Sequence, residues 1–174
     1  NEKNNKKKKF INYQVRGEYI YKDLIEKYNT WILTSLIKKS LLKKSKVNFD
    51  NKYDIIGDFD FFIRLSKKYK FQFIKEPVAT YRIHQQNLSF LKKEKQIEEF
   101  FHWIKKNKKN LTKDEYLKIM NRIYKLEFIN LRLTKSFLYS FFYFVKFIVH
   151  IFSLKNIIIL FTPSYILKKL MWFV

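Results

Sequence analysis

Apolar positions in YKDLIEKY (21–28) recur at Tyr21, Leu24, Ile25 and Tyr28, the spacing of one helical face. TWILTSLI (30–37) is instead a short β-branched and apolar run and predicts a buried strand, followed by a basic helix over KKSLLKKSK. Residues 47–57 form a connection, and Gly57 precedes a second helix over about 58–69, with Phe61, Phe62 and Leu65 on one face. FQFIK (71–75) and VATYRIH (78–84) predict two strands split by Glu76-Pro77. Proline has no N–H to donate to a ladder, so it belongs between strands or on an edge. The order strand, helix, strand, strand is α/β or α+β in character.

From about residue 90 the pattern becomes helical. KKEKQIEEFFHWIKKNKK (92–109) and DEYLKIMNRIYKLEFINLRL (114–133) both repeat at helical spacing and predict a hairpin packed on the α/β part. Thr112 is placed to cap the second helix, with Glu115 completing a capping box. FLYSFFYFVKFIVHIFSL (137–154) contains Lys146 and His150 as its basic groups, and NIIILFTPSYILKKLMWFV (156–174) has Pro163 in its middle. Neither reaches the ~20 clean apolar residues of a bilayer span. Thr162-Pro163 reads as an N-cap followed by proline at the first helical position. Aromatic helices flanked by lysine suit the plane of a membrane interface, and a buried core helix is the competing reading. The resulting division is a basic, candidate disordered lead-in (1–17), an α/β part (18–90), a helical hairpin (91–135) and an apolar helical tail (136–174).

Charge changes this picture only moderately. The 174 residues carry 37 Lys and Arg against 15 Asp and Glu, a net charge of +22. Clustered basic residues bind nucleic acid by releasing counterions, but 32 of the 37 are lysine, and base readers rely on arginine for bidentate contacts. Nucleic acid is therefore disfavoured as a partner, and an anionic ligand or anionic membrane surface is favoured. The absence of cysteine excludes disulfides, thiolate metal sites and a cysteine nucleophile, in keeping with a cytoplasmic setting. The sequence starts at Asn1 rather than methionine, which points to a fragment or a processed product, and no signal sequence is visible at its start.

Two strings carry candidate chemistry. In DFDFFIRL, Asp58 at a helix start is either an N-cap or, with its charge favoured by the helix dipole, a base that takes a proton from a hydroxyl. Asp60 lies four residues before Arg64, the spacing of a helical ion pair. In YRIHQQNLS, Arg82 and His84 share one face of a strand and make a candidate anion-binding pair. His84 can equally be a surface residue or a ligand to a divalent metal.

Taken together, DFDFFIRLSKKYKFQFIKEPVATYRIHQQNLS (58–89) resembles the second half of family 2 glycosyltransferases of the GT-A fold. Asp58, Asp60, Arg64 and Leu65 match the family's acidic-aromatic helix, and Tyr81, Arg82, His84, Asn87 and Ser89 match its Tyr-Arg-x-His element. Asn29 and Thr34-Ser35 occupy the places of an upstream Asn-x-Ile-x-x-Ser segment. The resemblance covers roughly residues 18–90. It implies a partial GT-A fold: the acceptor-side half of a mixed sheet with helices, followed by the helical C-terminal region.

The resemblance further implies inverting transfer of a sugar from a nucleotide-sugar donor to a hydroxyl of a glycan or lipid-linked acceptor. The setting would be cell-surface polysaccharide assembly; the aromatic, lysine-bearing tail separately suggests a peripheral place on the inner membrane face. By the same resemblance Asp58 is the general base, and Asp60 and Arg64 support it on the acceptor side. Arg82 and His84 contact the diphosphate, and His84 is a candidate contact to Mg²⁺ or Mn²⁺. That ion would be held mainly by a nucleotide-binding half that this chain lacks, so the isolated chain is not expected to turn over a nucleotide sugar. Gly57 stands where the family often has glutamate, which leaves the usual acidic pair incomplete. The alternatives are a non-catalytic basic module that binds membrane surface or nucleic acid, and a degenerate transferase fragment.

Overall fold

The computed structural model describes residues 18–28, 30–74, 76–80 and 87–170. Leu24 and Ile25 bury the inner face of α1 (Tyr21–Glu26), and the basic α2 (Lys39–Ser45) ends at Lys46, whose φ of 54° is left-handed. α3 (Gly57–Ser66) is buried on nearly every side, as a helix must be when apolar residues ring it. After a four-residue turn, α4 (Leu88–Leu91), come the two long helices α5 (Lys93–Asn107) and α6 (Lys113–Thr134). The tail is a series of short helices: α7 (Phe137–Lys146), α8 (Ile148–Ile151), α9 (Leu154–Phe161) and α10 (Ser164–Leu170).

The expected mixed sheet is overturned: the described residues contain no strand, and the architecture is helical. Two of the three predicted strands show why. Residues 30–37 close into a 3₁₀ turn at Ile32–Thr34, where the Thr34 and Ser35 hydroxyls both donate to the Trp31 carbonyl at 3.2 and 2.7 Å. Local bonds of that kind compete directly with a ladder. Ile32, Leu33 and Leu36 are consequently exposed rather than buried. Residues 71–74 take no regular structure, and among the described residues their backbone tie is a bond from the Phe71 amide to the Glu18 carbonyl at 2.8 Å. β-branched and aromatic content favours a strand only where neighbours complete its hydrogen bonds and cover its faces. Much of the third predicted strand, 78–84, and the lead-in 1–17 lie outside the described residues.

α3 sits at the centre of the larger core. Tyr28, Phe100 and Trp103 meet the Phe59 ring edge-on at centroid distances of 5.4, 5.2 and 5.1 Å, the geometry that ring quadrupoles prefer. On the other side Phe49 stacks on Phe61 at 4.3 Å. Ile119, Met120 and Ile123 of α6 close this core, and Phe128 on the same helix opens a second one with Phe144, Ile151 and Leu160. At about 1.5 Å per residue, α6 is long enough to serve both.

The capping box at the start of α6 forms as expected: the Glu115 amide donates to Thr112 Oγ1 at 3.2 Å, and the Thr112 amide to Glu115 Oε2 at 2.9 Å. Thr112→Ala should cost about 1 kcal/mol in urea unfolding. The cap expected at Thr162 does not form. Thr162 closes α9, and its hydroxyl donates back to the Ile158 carbonyl at 2.6 Å.

Candidate functional site

Asp58 and Asp60 are two positions apart on α3 and face different surroundings, because two helical steps turn a side chain by about 200°. Asp60 is 3% exposed. Its Oδ2 accepts from Arg64 Nε and Nη2 at 2.9 and 2.6 Å, and its Oδ1 accepts from the Trp103 indole at 2.9 Å. Both oxygens are thus committed to holding α3 against α5. Arg64 also donates to the Asn48 carbonyl at 2.6 Å, which ties the connecting loop to the same helix.

Asp58 has a different environment. It is not the N-cap of α3; it lies in the first turn, with its Oδ1 accepting from the Phe59 amide at 2.7 Å. Burial raises its pKa, opposed by the Phe59 amide and by the nearby Tyr28 hydroxyl. Burial likewise raises the pKa of Tyr28, as does the charge of Asp58, while Arg122 acts in the opposite sense.

Arg122 reaches this group from α6. Its guanidinium carbon lies 5.5 Å from the centre of the Phe59 ring, and Nη2 donates to the carbonyls of Leu24 and Ile25 at 3.4 and 3.2 Å. Burial lowers its pKa to about 10. The Tyr28 hydroxyl is buried beside Asp58, and Arg122 Nη1 is buried and completes no hydrogen bond in the described structure. Buried polar atoms without partners are uncommon in folded proteins. Here the Tyr28 phenol, just past α1, and the Arg122 guanidinium, from α6, meet the Phe59 ring, with the Asp58 acid of α3 beside the phenol.

Glu99 is the residue that the sequence pattern does not reveal. From α5 its carboxylate accepts from the amides of Asp54, Ile55 and Ile56 at 2.9, 2.9 and 3.0 Å. It thereby fixes the chain that leads into α3. Lys95, Glu99, Trp103 and Lys106 form one stripe on α5, contacting in turn Asp54, these amides, Asp60 and Asp50. The spacing of that stripe is visible in the sequence; what it faces is not. Glu99→Ala should cost about 1–3 kcal/mol in denaturant unfolding, since the Ile56 amide is left buried without an acceptor. A Cβ at Gly57 would lie 3.9 Å from Phe49, an ordinary contact, so packing does not require glycine there.

Tyr81, Arg82 and His84 lie outside the described residues, as does Asn29. Asn87 is buried, and Thr34-Ser35 turn back onto Trp31. Asp58 and Asp60 do not form a joint cation site, because the oxygens of Asp60 are engaged by Arg64 and Trp103. Among the described residues no cluster of three or more histidine or acidic side chains could hold a metal ion. Compared with protein-family models, curated proteins and solved structures, the chain matches none.

Proposed function

We propose that the chain supplies the acceptor side of a glycosyl-transfer site, with Asp58 as the base that takes the proton of the acceptor hydroxyl. The observation that carries this reading is the difference between two neighbouring carboxylates. Asp60 is consumed by structure, whereas Asp58 is held half-buried beside Tyr28 with its proton affinity raised. A base is most effective when its pKa moves from the ordinary carboxylate range toward the working pH. Partial burial achieves that shift.

In the transfer step the acceptor oxygen attacks the anomeric carbon and loses its proton to Asp58. The bond to the diphosphate breaks with inversion, and the leaving group carries away the electron pair. Positive charge must stabilise that leaving group. By the resemblance, donor and divalent-ion binding fall mainly to a nucleotide-binding half. Residues 58–89 support the assignment through their resemblance to the acceptor half of family 2 glycosyltransferases.

The test is transfer from a panel of nucleotide sugars, with Mg²⁺ or Mn²⁺, by the natural protein that carries these residues. Asp58→Asn should reduce transfer by about 10²–10⁴-fold. Transfer that survives this substitution would overturn the reading.

A further inference from the structure

We propose that the outer face of α7–α10 docks in the plane of an anionic lipid bilayer. Half of the large apolar side chains exposed among the described residues fall within 137–165. Phe142, Val149, Phe152, Leu154 and Phe161 are each more than 60% exposed, on helices α7, α8 and α9 and the turn after α8. Scattered exposed apolar residues are ordinary, but a concentration of this kind marks an interaction surface.

The polar contacts of the tail are made on the opposite side, toward α6. The Tyr143 hydroxyl donates to Glu127 at 2.7 Å, and His150 Nδ1 lies 2.6 Å from Asn121 Oδ1. Arg132, 4% exposed, donates to the carbonyls of Ile159 and Thr162 at 3.3 and 2.6 Å and so holds the C-terminal end of α9. Polar groups therefore fix the tail from within, and aromatic and aliphatic groups are left outside. That is the reverse of the arrangement water selects for a surface helix.

Charge and length identify the occupant. Residues 136–174 contain no aspartate or glutamate and four lysines, of which Lys146 and Lys155 are exposed beside the apolar face. Such a surface attracts anionic headgroups and would repel a basic partner. The helices are short and broken at 147, 152–153 and 162–163, and no helix among the described residues is long and apolar enough to cross a membrane. Apolar side chains on short in-plane helices reach the boundary between headgroups and acyl chains, with lysine at the headgroups. This inference stands on the tail alone and does not depend on the transfer reading.

The experiment is flotation of the 174-residue chain with phosphatidylcholine vesicles, with and without phosphatidylglycerol. The unmodified chain should bind the phosphatidylglycerol vesicles more tightly and release them as salt rises. Phe142→Glu with Phe152→Glu should weaken binding by at least about tenfold, and Lys146→Glu or Lys155→Glu by about fivefold each. Leu36→Glu, at an exposed position just past the 3₁₀ turn, should leave binding unchanged. Binding that ignores both lipid charge and the phenylalanine substitutions would overturn the proposal. So would a chain that leaves vesicles alone and sediments as a dimer dissolved by those substitutions, since the face would then belong to a second copy.

Discussion

Asp60→Ala should lower the unfolding free energy by about 2–4 kcal/mol, measured from denaturant midpoints at constant slope. The substitution strands two donors of unequal solvent access. The Trp103 indole N–H is in the core and has no water to turn to, which alone costs about 1–3 kcal/mol. The Arg64 side chain is 35% exposed and can be rehydrated, so the loss stays below the 3–5 kcal/mol of a fully buried pair. Packing adds to the penalty, since Trp103 is also the ring that meets Phe59. Removing both partners should be milder than the sum of the single changes, because a polar pair replaced by apolar groups leaves nothing unsatisfied. Trp103→Phe in the Asp60→Ala background should therefore cost less than Trp103→Phe alone. Strict additivity in that cycle would show that the indole bond contributes nothing.

Asp58→Asn should act in the opposite direction on stability while removing transfer. The folded state holds the Asp58 proton more tightly than the unfolded chain, because burial raises its pKa above the ordinary value of 3.8. A raised carboxyl favours folding below the unfolded pKa, and that contribution is lost as pH rises through the folded pKa. Above that range the buried charge is a penalty, which an amide does not carry. The variant should thus match or exceed the parent in thermal midpoint at neutral pH and lose its advantage in acid. With transfer reduced by about 10²–10⁴-fold, a stable and inactive variant would separate a functional carboxylate from a structural one. An Asp58→Asn protein less stable than the parent at neutral pH would place Asp58 with Asp60 as a structural acid.

Between them the two aspartates show what can be read from a sequence. Helical periodicity is local, so the helices around 21–26, 57–66, 93–107 and 113–134 follow from apolar spacing, and the cap at Thr112 from a three-residue relation. The Asp60–Arg64 pair is likewise legible, because residues four apart meet on any helix. The mixed sheet was not determined in this way. Apolar runs such as 30–37 have strand composition, but a strand exists only if other segments complete its ladder, and none does so among the described residues. The entry of α3 shows the same limit: Asp58 takes one first-turn amide, that of Phe59, yet the three amides leading into the helix go to Glu99, more than 40 residues away. Tyr28, Asp58 and Arg122 come from three separate segments of chain, and nothing in their spacing brings them together. Sequence alone determined which segments coil and which polar neighbours pair along them, because those contacts close within a turn or two of chain. Only the tertiary structure decided which carboxylate is satisfied, which stays half-buried, and which face of the tail is left apolar, because each depends on what the distant chain packs against.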